Sequence, residues 1–405
     1  TRRQRWLPFL NWPGPSATPW RGEIIAGVTV ALLMVPQAVA YAALAGMPLV
    51  TGLYAALLPA LVAAMWGAST RLSVAPTALT CLLVAASLTG MAEPGSARWV
   101  DLAVWLALLS GLLQLVMGLG GFGWLLNIIS APVLMGFTQA AALLIIASQV
   151  PALIGLKGSL GSLLGEPSLD LRATAFGVAS LALLLLGRSV WPRLPMIVMV
   201  VAGAAAASAA SGFAAAGGSV IGSLPAGLPS LYGPTWPGID TLGQLVVPAM
   251  VIALVSFLET ASSAKVENQR DGRRWDDNQD LIGQGLAKLA GAFSGSFAVS
   301  SSFSRSAINL YAGARTGWAT VVMVLCVLAS LLLLTPALYH VPRAVLAAVV
   351  VVAVVNLIRP AAFRQLWRID RVEAATAGVT FAVTLATPPR IYWGVLGRGG
   401  RGLSH

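Results

Sequence analysis

Two segments interrupt the long apolar stretches of this sequence with residue types that favour irregular backbone. The first, RLSVAPTALT, covers residues 71–80. Pro76 has no backbone N–H to donate, and proline suits the first turn of a helix. We therefore expect residues 72–75 to be extended and a short helix to begin at Pro76, inside the membrane.

The second segment, FAVSSSFSRSAIN, covers residues 297–309 and contains three consecutive serines. Serine hydroxyls favour non-helical backbone and cap the helix that follows. We expect Ser302 to be an N-cap, with Phe303 to Ser306 in the first helical turn. An alternative for both segments is that Pro76 only kinks a helix and that the serines pack against neighbours.

A pair of helix starts at membrane depth would form an anion site. Helix N-termini present free N–H groups and a partial positive charge. Irregular backbone at this depth is tolerated only inside protein or around a cavity. Discontinuous helices at matching positions of two halves mark the binding site of many transporters. The two segments therefore predict a site for a small anion.

Two charged residues belong to this hypothesis. Arg305 is a cation at a helix start and at membrane depth, which is unfavourable on both counts. A bound anion or a nearby carboxylate would compensate it, and a permanent buried ion pair is the structural alternative. Glu259, in VIALVSFLETASSAKV, follows a stretch without charge since Asp240. It is interpreted as a protonatable or cation-binding group beside the substrate, or as a residue that reaches cytoplasmic water.

Two polar residues of the first apolar segment complete the candidate site. Gln37 and Tyr41 lie four residues apart, so they share one face of a helix. Pro36 loosens the helix just before Gln37. Gln37 is expected to donate to a substrate oxygen and Tyr41 to form a wall of the pocket. An interhelical hydrogen bond for Gln37 and ordinary packing for Tyr41 are the alternatives.

The composition indicates which elements position these residues. Of 405 residues, 57% are hydrophobic and only 10% are charged, whereas a soluble domain has about 25% charged residues. Mean hydropathy is +0.82, and many apolar runs are long enough to cross a bilayer. The net charge of +11 lies mostly in short connections, which indicates membrane topology and not nucleic-acid binding. No Cys/His cluster has metal-ligand spacing, so neither metal nor cofactor is expected.

The apolar segments form two sets of seven, which predicts an all-α membrane protein of fourteen spans. The broken segments are third in each set. An odd number of spans per set makes the halves run in opposite directions. The first segment is interpreted as a span and not as a removed signal peptide. The segments cover residues 23–44, 49–66, 76–90, 100–118, 125–149, 171–187 and 195–213, then 242–264, 281–293, 303–312, 318–334, 344–357, 372–386 and 391–397.

Charge asymmetry sets the expected orientation. Residues 1–22 are basic and are expected in the cytoplasm, as are residues 265–280. Residues 213–240 contain neither Lys nor Arg and are expected to form an extracellular linker. Arg368 and its neighbours fall inside if residues 360–369 form a surface helix. Abundant Arg, Ala and Gly indicate a GC-rich bacterial genome, and the protein is therefore expected in a bacterial inner membrane.

At these segments the chain resembles the sulfate permease family, also called solute carrier family 26. The first resemblance is GEIIAGVTVALLMVPQAVAYAALAGMPLVTGLYAALLPALVAAMWGAS, and the second is SSSFSRSAINLYAGARTGWATVV. The resemblance implies a seven-plus-seven inverted repeat with half-helices at segments 3 and 10. Glu259 would be tied to the coupling ion. The residues that would bind substrate are Gln37, Tyr41, Ala75, Thr77, Ser302, Phe303, Ser304 and Arg305.

The resemblance also implies a division into domains. A core domain would comprise residues 23–118 and 241–335, and a gate domain residues 119–212 and 336–397. A cytoplasmic segment (1–22), the linker (213–240) and a C-terminal stub (398–405) complete the chain. Family members normally continue into a cytosolic domain resembling anti-sigma-factor antagonists. The natural protein is therefore expected to be longer and to form a homodimer.

These observations predict a secondary active transporter of small anions that works by alternating access. The substrate would be a dicarboxylate, bicarbonate, sulfate or chloride. Proton symport is favoured over sodium, because one isolated Glu makes a poor sodium site. An anion channel or voltage-responsive protein on the same scaffold is one alternative, and a nucleobase carrier of similar fold is another. An enzyme is not expected, because no metal cluster, nucleophile–base pair or carboxylate dyad is visible.

Overall fold

A computed structural model of the chain describes residues 7–386, apart from 15, 17, 128–130, 157–168, 192–193, 226 and 273. The fourteenth predicted segment (391–397) and the C-terminal stub lie outside the described residues. The described chain is mostly helical, with two short strands. The helices are α1 (Trp20–Leu44), α2 (Val50–Ala55), α3 (Leu58–Trp66), α4 (Ala78–Leu88), α5 (Ala97–Leu119), α6 (Ala131–Leu153), α7 (Leu171–Val190), α8 (Met196–Ala210), α9 (Ile239–Asp271), α10 (Asp277–Phe293), α11 (Phe303–Ala312), α12 (Trp318–Ala329), α13 (Thr335–Leu338), α14 (Arg343–Val355), α15 (Pro360–Ile369) and α16 (Arg371–Ala386).

Within the described ranges, every one of the first thirteen predicted segments is helical, and residues 360–369 form a helix without buried residues, as expected for a surface helix. Seven helical stretches of the described chain are long and apolar enough to cross a membrane, and two of them join helices given separately above: Trp318–Leu338 contains α12 and α13, and Arg343–Ile369 contains α14 and α15. They are Trp20–Leu44, Ala97–Leu119, Pro132–Leu153, Leu171–Val190, Ile239–Asp271, Trp318–Leu338 and Arg343–Ile369.

Some segment boundaries differ from the prediction for local reasons. The second segment is divided into α2 and α3, because Pro59 near the start of α3 has no N–H for an intrahelical bond. The fifth segment was predicted from residue 125, but Phe122–Asn127 is a 3₁₀ helix and α6 begins at Ala131. The eleventh contains a π-helical stretch at Ser330–Leu334, between α12 and α13.

The helices pack in two groups. In one, α10 packs on α5 and α3, α9 packs on α5, and α1 packs on α11 and α12; in the other, α6 packs on α14 and α16, and α14 on α7. Glycines permit the closest approach in the first group. A Cβ at Gly111 of α5 would lie 2.9 Å from the carbonyl oxygen of Gly285 in α10. These two backbones therefore touch, which fixes α10 firmly in the first group.

The two strands join the halves of the chain. β1 (Val74–Ala75) pairs antiparallel with β2 (Ser300–Ser301), with Val74 opposite Ser301 and Ala75 opposite Ser300. All four residues are buried. The pairing satisfies backbone groups that the broken segments would otherwise leave without partners in an apolar interior.

Candidate anion-binding site

The two broken segments meet directly. Immediately after the paired strands, α4 and α11 begin, so the starts of both half-helices lie at one place. We call this meeting point of residues 73–77 and 300–306 the crossing. Two further bonds hold it together: Ser302 N donates to Ser73 O (3.0 Å), and Ser73 N donates to Ser306 Oγ (2.9 Å). Because residues more than 200 apart in the chain share these bonds, each half fixes the helix start of the other.

The first half-helix begins two residues later than predicted. α4 starts at Ala78 instead of Pro76, because Thr77 is its N-cap and its hydroxyl accepts a hydrogen bond from Thr80 N. Pro76 keeps its carbonyl outside the helix, where it accepts from Arg305. The prediction of extended backbone before the helix is confirmed at Val74 and Ala75.

The second half-helix begins where the serines predicted. Ser302 is the N-cap of α11, and its hydroxyl accepts from Arg305 N at the limit of bonding distance (3.5 Å). Phe303 and Ser304 are exposed, whereas Thr77 and Ala75 are buried. The accessible part of the crossing is therefore the start of α11.

Arg305 points into the crossing and is only 1% exposed. Its Nη2 donates to Pro76 O (2.9 Å), its Nη1 to Gln37 Oε1 (3.1 Å) and its Nε to Ser73 Oγ (3.3 Å). All three acceptors are neutral. In the described part of the chain, ion pairs within 4.0 Å involve Arg71 with Glu267 and Asp271 only. The alternative of a permanent ion pair at Arg305 is therefore not found there.

Gln37 and Tyr41 lie on the same buried stretch of α1, and Gln37 reaches the crossing from the first span. Gln37 makes the bond to Arg305, so the interhelical hydrogen bond considered from sequence is present. An arginine side chain has no acceptor, which means that Gln37 presents its oxygen to Arg305 and keeps its NH₂ group as a donor. Tyr41 is 4% exposed.

Glu259 lies at the start of α4 and not against Arg305. Its Oε2 accepts from Thr77 Oγ1 (3.0 Å) and from Thr80 Oγ1 (3.2 Å). The carboxylate is partly exposed. Both hydroxyls lie at the start of the first half-helix, so Glu259 is held beside the crossing.

Sequence reasoning missed three polar residues of the crossing. Ser73 of the first half accepts from Arg305 of the second half, Ser306 accepts from the backbone N–H of Ser73, and Thr80 donates to Glu259. Thr80 carried a local signal, since it lies three residues after Thr77 and so on the same side of the helix start. Ser73 and Ser306 carried no local sequence signal, because their hydrogen-bond partners lie in the other half of the chain.

The arrangement brings hydrogen-bond donors and a positive charge together, and none of the described carboxylates lies within 4.0 Å of the Arg305 guanidinium. Two helix starts and one buried guanidinium converge, and the carboxylate lies to one side on hydroxyls. Such a constellation stabilises a small anion electrostatically. Among the described residues, no group of three or more His, Cys, Asp or Glu side chains comes together as a metal site.

The sequence and the fold are similar to known membrane transporters. The model of the sulfate permease family matches residues 20–380. Sulfate transporter 4.1, chloroplastic, of Arabidopsis thaliana is 31% identical over 396 residues, which are 94% of this chain and 57% of that protein. The chain thus spans little more than half the length of this curated relative.

Two solved structures share the fold. The murine solute carrier 26 family member A9 anion transporter, in the inward-facing state, superposes with a TM-score of 0.87 at 23% identity and covers 96% of this chain and 69% of that one. The transmembrane domain of a cyanobacterium bicarbonate transporter gives 0.81 at 19% identity, covering 94% and 98%. Over the described residues the predicted fold is confirmed: it is an all-helical membrane fold of this inverted-repeat type, with half-helices at segments 3 and 10.

Proposed function

The chain belongs to the sulfate permease family, and from this membership we propose that it is a secondary active transporter of small anions. The observation that supports the proposal best is the environment of Arg305. A buried guanidinium at two helix starts, with neutral acceptors around it, leaves positive charge that a transported anion would neutralise.

The substrate would lie against the start of α11. Ser304 and Phe303 are its exposed residues, and Ser302 is its cap. Gln37 would donate its NH₂ group to an anion oxygen, while Tyr41 would shape the pocket. Ala75 and Thr77 would contribute the start of α4. In this proposal Arg305 acts by its charge from behind the site more than by direct contact, because it is almost fully enclosed.

Alternating access requires one group of helices to move against the other. The packing supports such a division, since α1–α5 and α9–α12 contain the crossing, while α6, α7, α14 and α16 pack mainly on one another. We assign residues 23–118 and 241–335 to a core domain and residues 119–212 and 336–397 to a gate domain. The core would carry the anion past the gate as a rigid body. A homodimer in a bacterial inner membrane, with the N-terminus in the cytoplasm, belongs to the same proposal.

Glu259 would couple anion movement to protons. It lies at the start of α4, on two hydroxyls that serve equally well as partners of a carboxylate and of a carboxylic acid. Protonation there would change the charge of the core beside the substrate.

Sulfate and bicarbonate, which the names of the similar proteins mention, are the first substrates to test, with chloride and a dicarboxylate next.

The test is uptake by the purified chain in proteoliposomes. Labelled sulfate would be taken up saturably, and excess bicarbonate, chloride or succinate would compete if it shares the site, whereas uracil would not. Failure to transport any of these anions would contradict the proposal. Ion currents far above the turnover of a carrier would show a channel instead.

Arg305 variants connect this activity to the site. Arg305→Ala should abolish anion binding in a calorimetric titration, and Arg305→Lys should keep part of it because the charge remains. Arg364→Ala, which changes an exposed arginine of α15, is the matched control and should bind normally. Unchanged affinity in Arg305→Ala would remove Arg305 from the site.

A further inference from the structure

A basic pocket of about 890 Å³ lies beside the start of α1. Its charged lining residues in the described part of the chain are Arg21, Arg71, Arg270, Arg315 and Asp271. Arg71 is paired with Asp271 (2.6 Å) and with Glu267 (3.1 Å). Among the described side chains, no carboxylate lies within 4.0 Å of the other three guanidinium groups. Three arginines of the pocket are therefore without an ion-pair partner there.

Glu23, in the first turn of α1, is the other carboxylate next to the pocket. It is fully buried, and its Oε1 accepts from Arg315 N (3.2 Å) and from Thr316 Oγ1 (3.0 Å). Its bonds thus go to a backbone N–H and a hydroxyl and not to a guanidinium. Even with Glu23 and Glu267 included, the four arginines outnumber the three carboxylates, so the pocket is net positive.

Arg270, at the end of α9, is held in position at this pocket. Its Nη1 donates to Leu310 O (2.9 Å), and its guanidinium lies 5.7 Å from the centroid of the Tyr311 ring. The side chains of Arg21 and Arg315 are exposed. Three guanidinium groups around one pocket suit a phosphate, because its oxygens accept charge-assisted hydrogen bonds from several donors at once.

Tryptophans next to the pocket indicate its depth in the membrane. Trp20, which lines the pocket, begins α1, and Trp318 begins α12; their ring centroids are 5.5 Å apart. The ring of Trp12 lies 5.7 Å from that of Trp318, whose Nε1 donates to Pro13 O (3.0 Å). Tryptophan is enriched at the level of the lipid headgroups. The pocket therefore lies at one membrane interface, which is the cytoplasmic one in the orientation proposed above.

An apolar stripe on α1 leads from Arg21 into the membrane. Ile25, Val28 and Leu32 follow Arg21 at spacings of a helical face, so the four side chains share one side of α1. The three apolar residues are 48%, 37% and 42% exposed. At 1.5 Å per residue, Leu32 lies about 16 Å along the helix from Arg21. This is about half of a hydrocarbon core of roughly 30 Å, so the stripe spans the acyl region of one leaflet.

Val28 and Leu32 also line an apolar cavity of about 360 Å³. Its other walls come from α8, from α12 and α13, and from the π-helical stretch between them. The described lining is aliphatic apart from the Cys326 thiol and the Ser330 hydroxyl, and this hydroxyl donates to Cys326 O (2.9 Å). The cavity therefore suits a hydrocarbon chain and not a polar ligand.

We propose that the chain binds an anionic phospholipid along this path, with the phosphodiester among Arg21, Arg270 and Arg315 and one acyl chain following α1 into the apolar cavity. Inorganic phosphate could use the same guanidinium groups, but it would leave the stripe and the cavity without an occupant. Because the cavity separates α1 from α8, the acyl chain would lie between the core and gate domains assigned above. The inference goes beyond the proposed transport of small anions, and a binding measurement tests it without any need for uptake.

Native mass spectrometry of the purified chain measures which lipid it retains. Protein released from micelles with equal amounts of dioleoyl phosphatidylglycerol and dioleoyl phosphatidylcholine should retain phosphatidylglycerol in about tenfold excess or more. Arg21→Gln combined with Arg315→Gln should remove most of this excess, and this variant should fold because both side chains are exposed. Arg364→Gln, at an exposed position of α15, is the matched control and should match the wild type. Equal retention of the two lipids by the wild type, or an undiminished excess in the double variant, would overturn the inference.

A second comparison distinguishes a lipid from a free anion. Leu32→Trp places a bulky ring in the cavity, so it should lower retention of dioleoyl phosphatidylglycerol and leave that of short-chain dihexanoyl phosphatidylglycerol unchanged. Val178→Trp, at an exposed apolar position of α7, is the control and should retain both lipids as the wild type does. Inorganic phosphate should displace little of the dioleoyl lipid. Complete displacement by inorganic phosphate, with equal retention of the two chain lengths, would show a site for a free anion and overturn the assignment to a lipid.

Discussion

The Nη1 of Arg305 donates to Oε1 of Gln37 over 3.1 Å, so the second half-helix orients an amide of the first span. Because Arg305 can only donate, the NH₂ group of Gln37 is turned away from it. The bond therefore leaves the positive charge of Arg305 and the NH₂ group of Gln37, which is a hydrogen-bond donor, at the crossing. It also ties α1 to α11, whose sequence positions are 268 residues apart at this contact.

Gln37→Glu should abolish most anion binding. A carboxylate at this position would pair with Arg305 and cancel the charge that attracts the anion. We expect affinity for sulfate to fall by about tenfold or more, which corresponds to about 1.4 kcal/mol. Gln37→Met removes the acceptor without adding charge, so its affinity for sulfate should fall less than that of Gln37→Glu. Calorimetric titration of both variants measures the difference, and equal affinities would show that the charge of Arg305 does not act on the anion.

Glu259→Gln should remove proton dependence while leaving anion binding in place. The side-chain oxygen of glutamine accepts from Thr77 and Thr80 as the carboxylate does. We expect a sulfate titration close to wild type and uptake that no longer responds to an inward proton gradient. Glu373→Gln, at an exposed position of α16, is the control. Pronounced pH dependence of uptake in Glu259→Gln would rule out Glu259 as the coupling group.

Substitutions of Ser302 and Ser304 should have different effects, one on stability and the other on anion binding. Ser302 caps α11, so Ser302→Ala should lower the free energy of unfolding by about 1 kcal/mol. Ser304 is exposed at the start of the same helix and is not its cap. Ser304→Ala should keep the stability and weaken anion binding. Thermal unfolding and calorimetric titration of the two variants test this division, which the reverse pattern would contradict.

The linker is held to α5 by a tyrosine. Tyr232 Oη donates to Asp101 Oδ1 (2.6 Å), and Thr235 also donates to this carboxylate. Burial, together with the hydrogen bond and the negative charge of Asp101, raises the pKa of Tyr232 to about 12. The folded state therefore retains a proton that the unfolded chain loses near pH 10.

Tyr232→Phe should lower stability by about 1 kcal/mol at neutral pH. The contribution is complete below the unfolded pKa and is lost as the pH rises from about 10 towards about 12, because the unfolded state ionises first. The unfolding temperatures of wild type and variant should therefore converge in alkaline solution. Tyr311→Phe, at a largely exposed position, is the control. A constant difference between Tyr232→Phe and wild type at all pH values would contradict this account.

The sequence by itself determined the class of the protein and the positions of its interruptions. Long apolar segments with few charges can fold stably only as membrane helices, because the bilayer leaves backbone groups no partner outside a helix. The cap at Ser302 was also predictable, since capping depends on residues within one turn. Proline at position 76 favours the first helical turn, whereas threonine at position 77 favours the N-cap. In the structure Thr77 is the N-cap, so the helix begins after it.

Only the tertiary structure decided which polar groups meet. Arg305 was expected near an anion or a carboxylate, but its partners are Gln37, Ser73 and Pro76, from two other segments of the chain. Glu259 was expected beside the substrate, and it contacts hydroxyls of α4 that are about 180 residues away in sequence. Lys288 lies between α5 and α10 with Gln114. These contacts follow from how two inverted halves cross, and local residue patterns do not specify the register of that crossing.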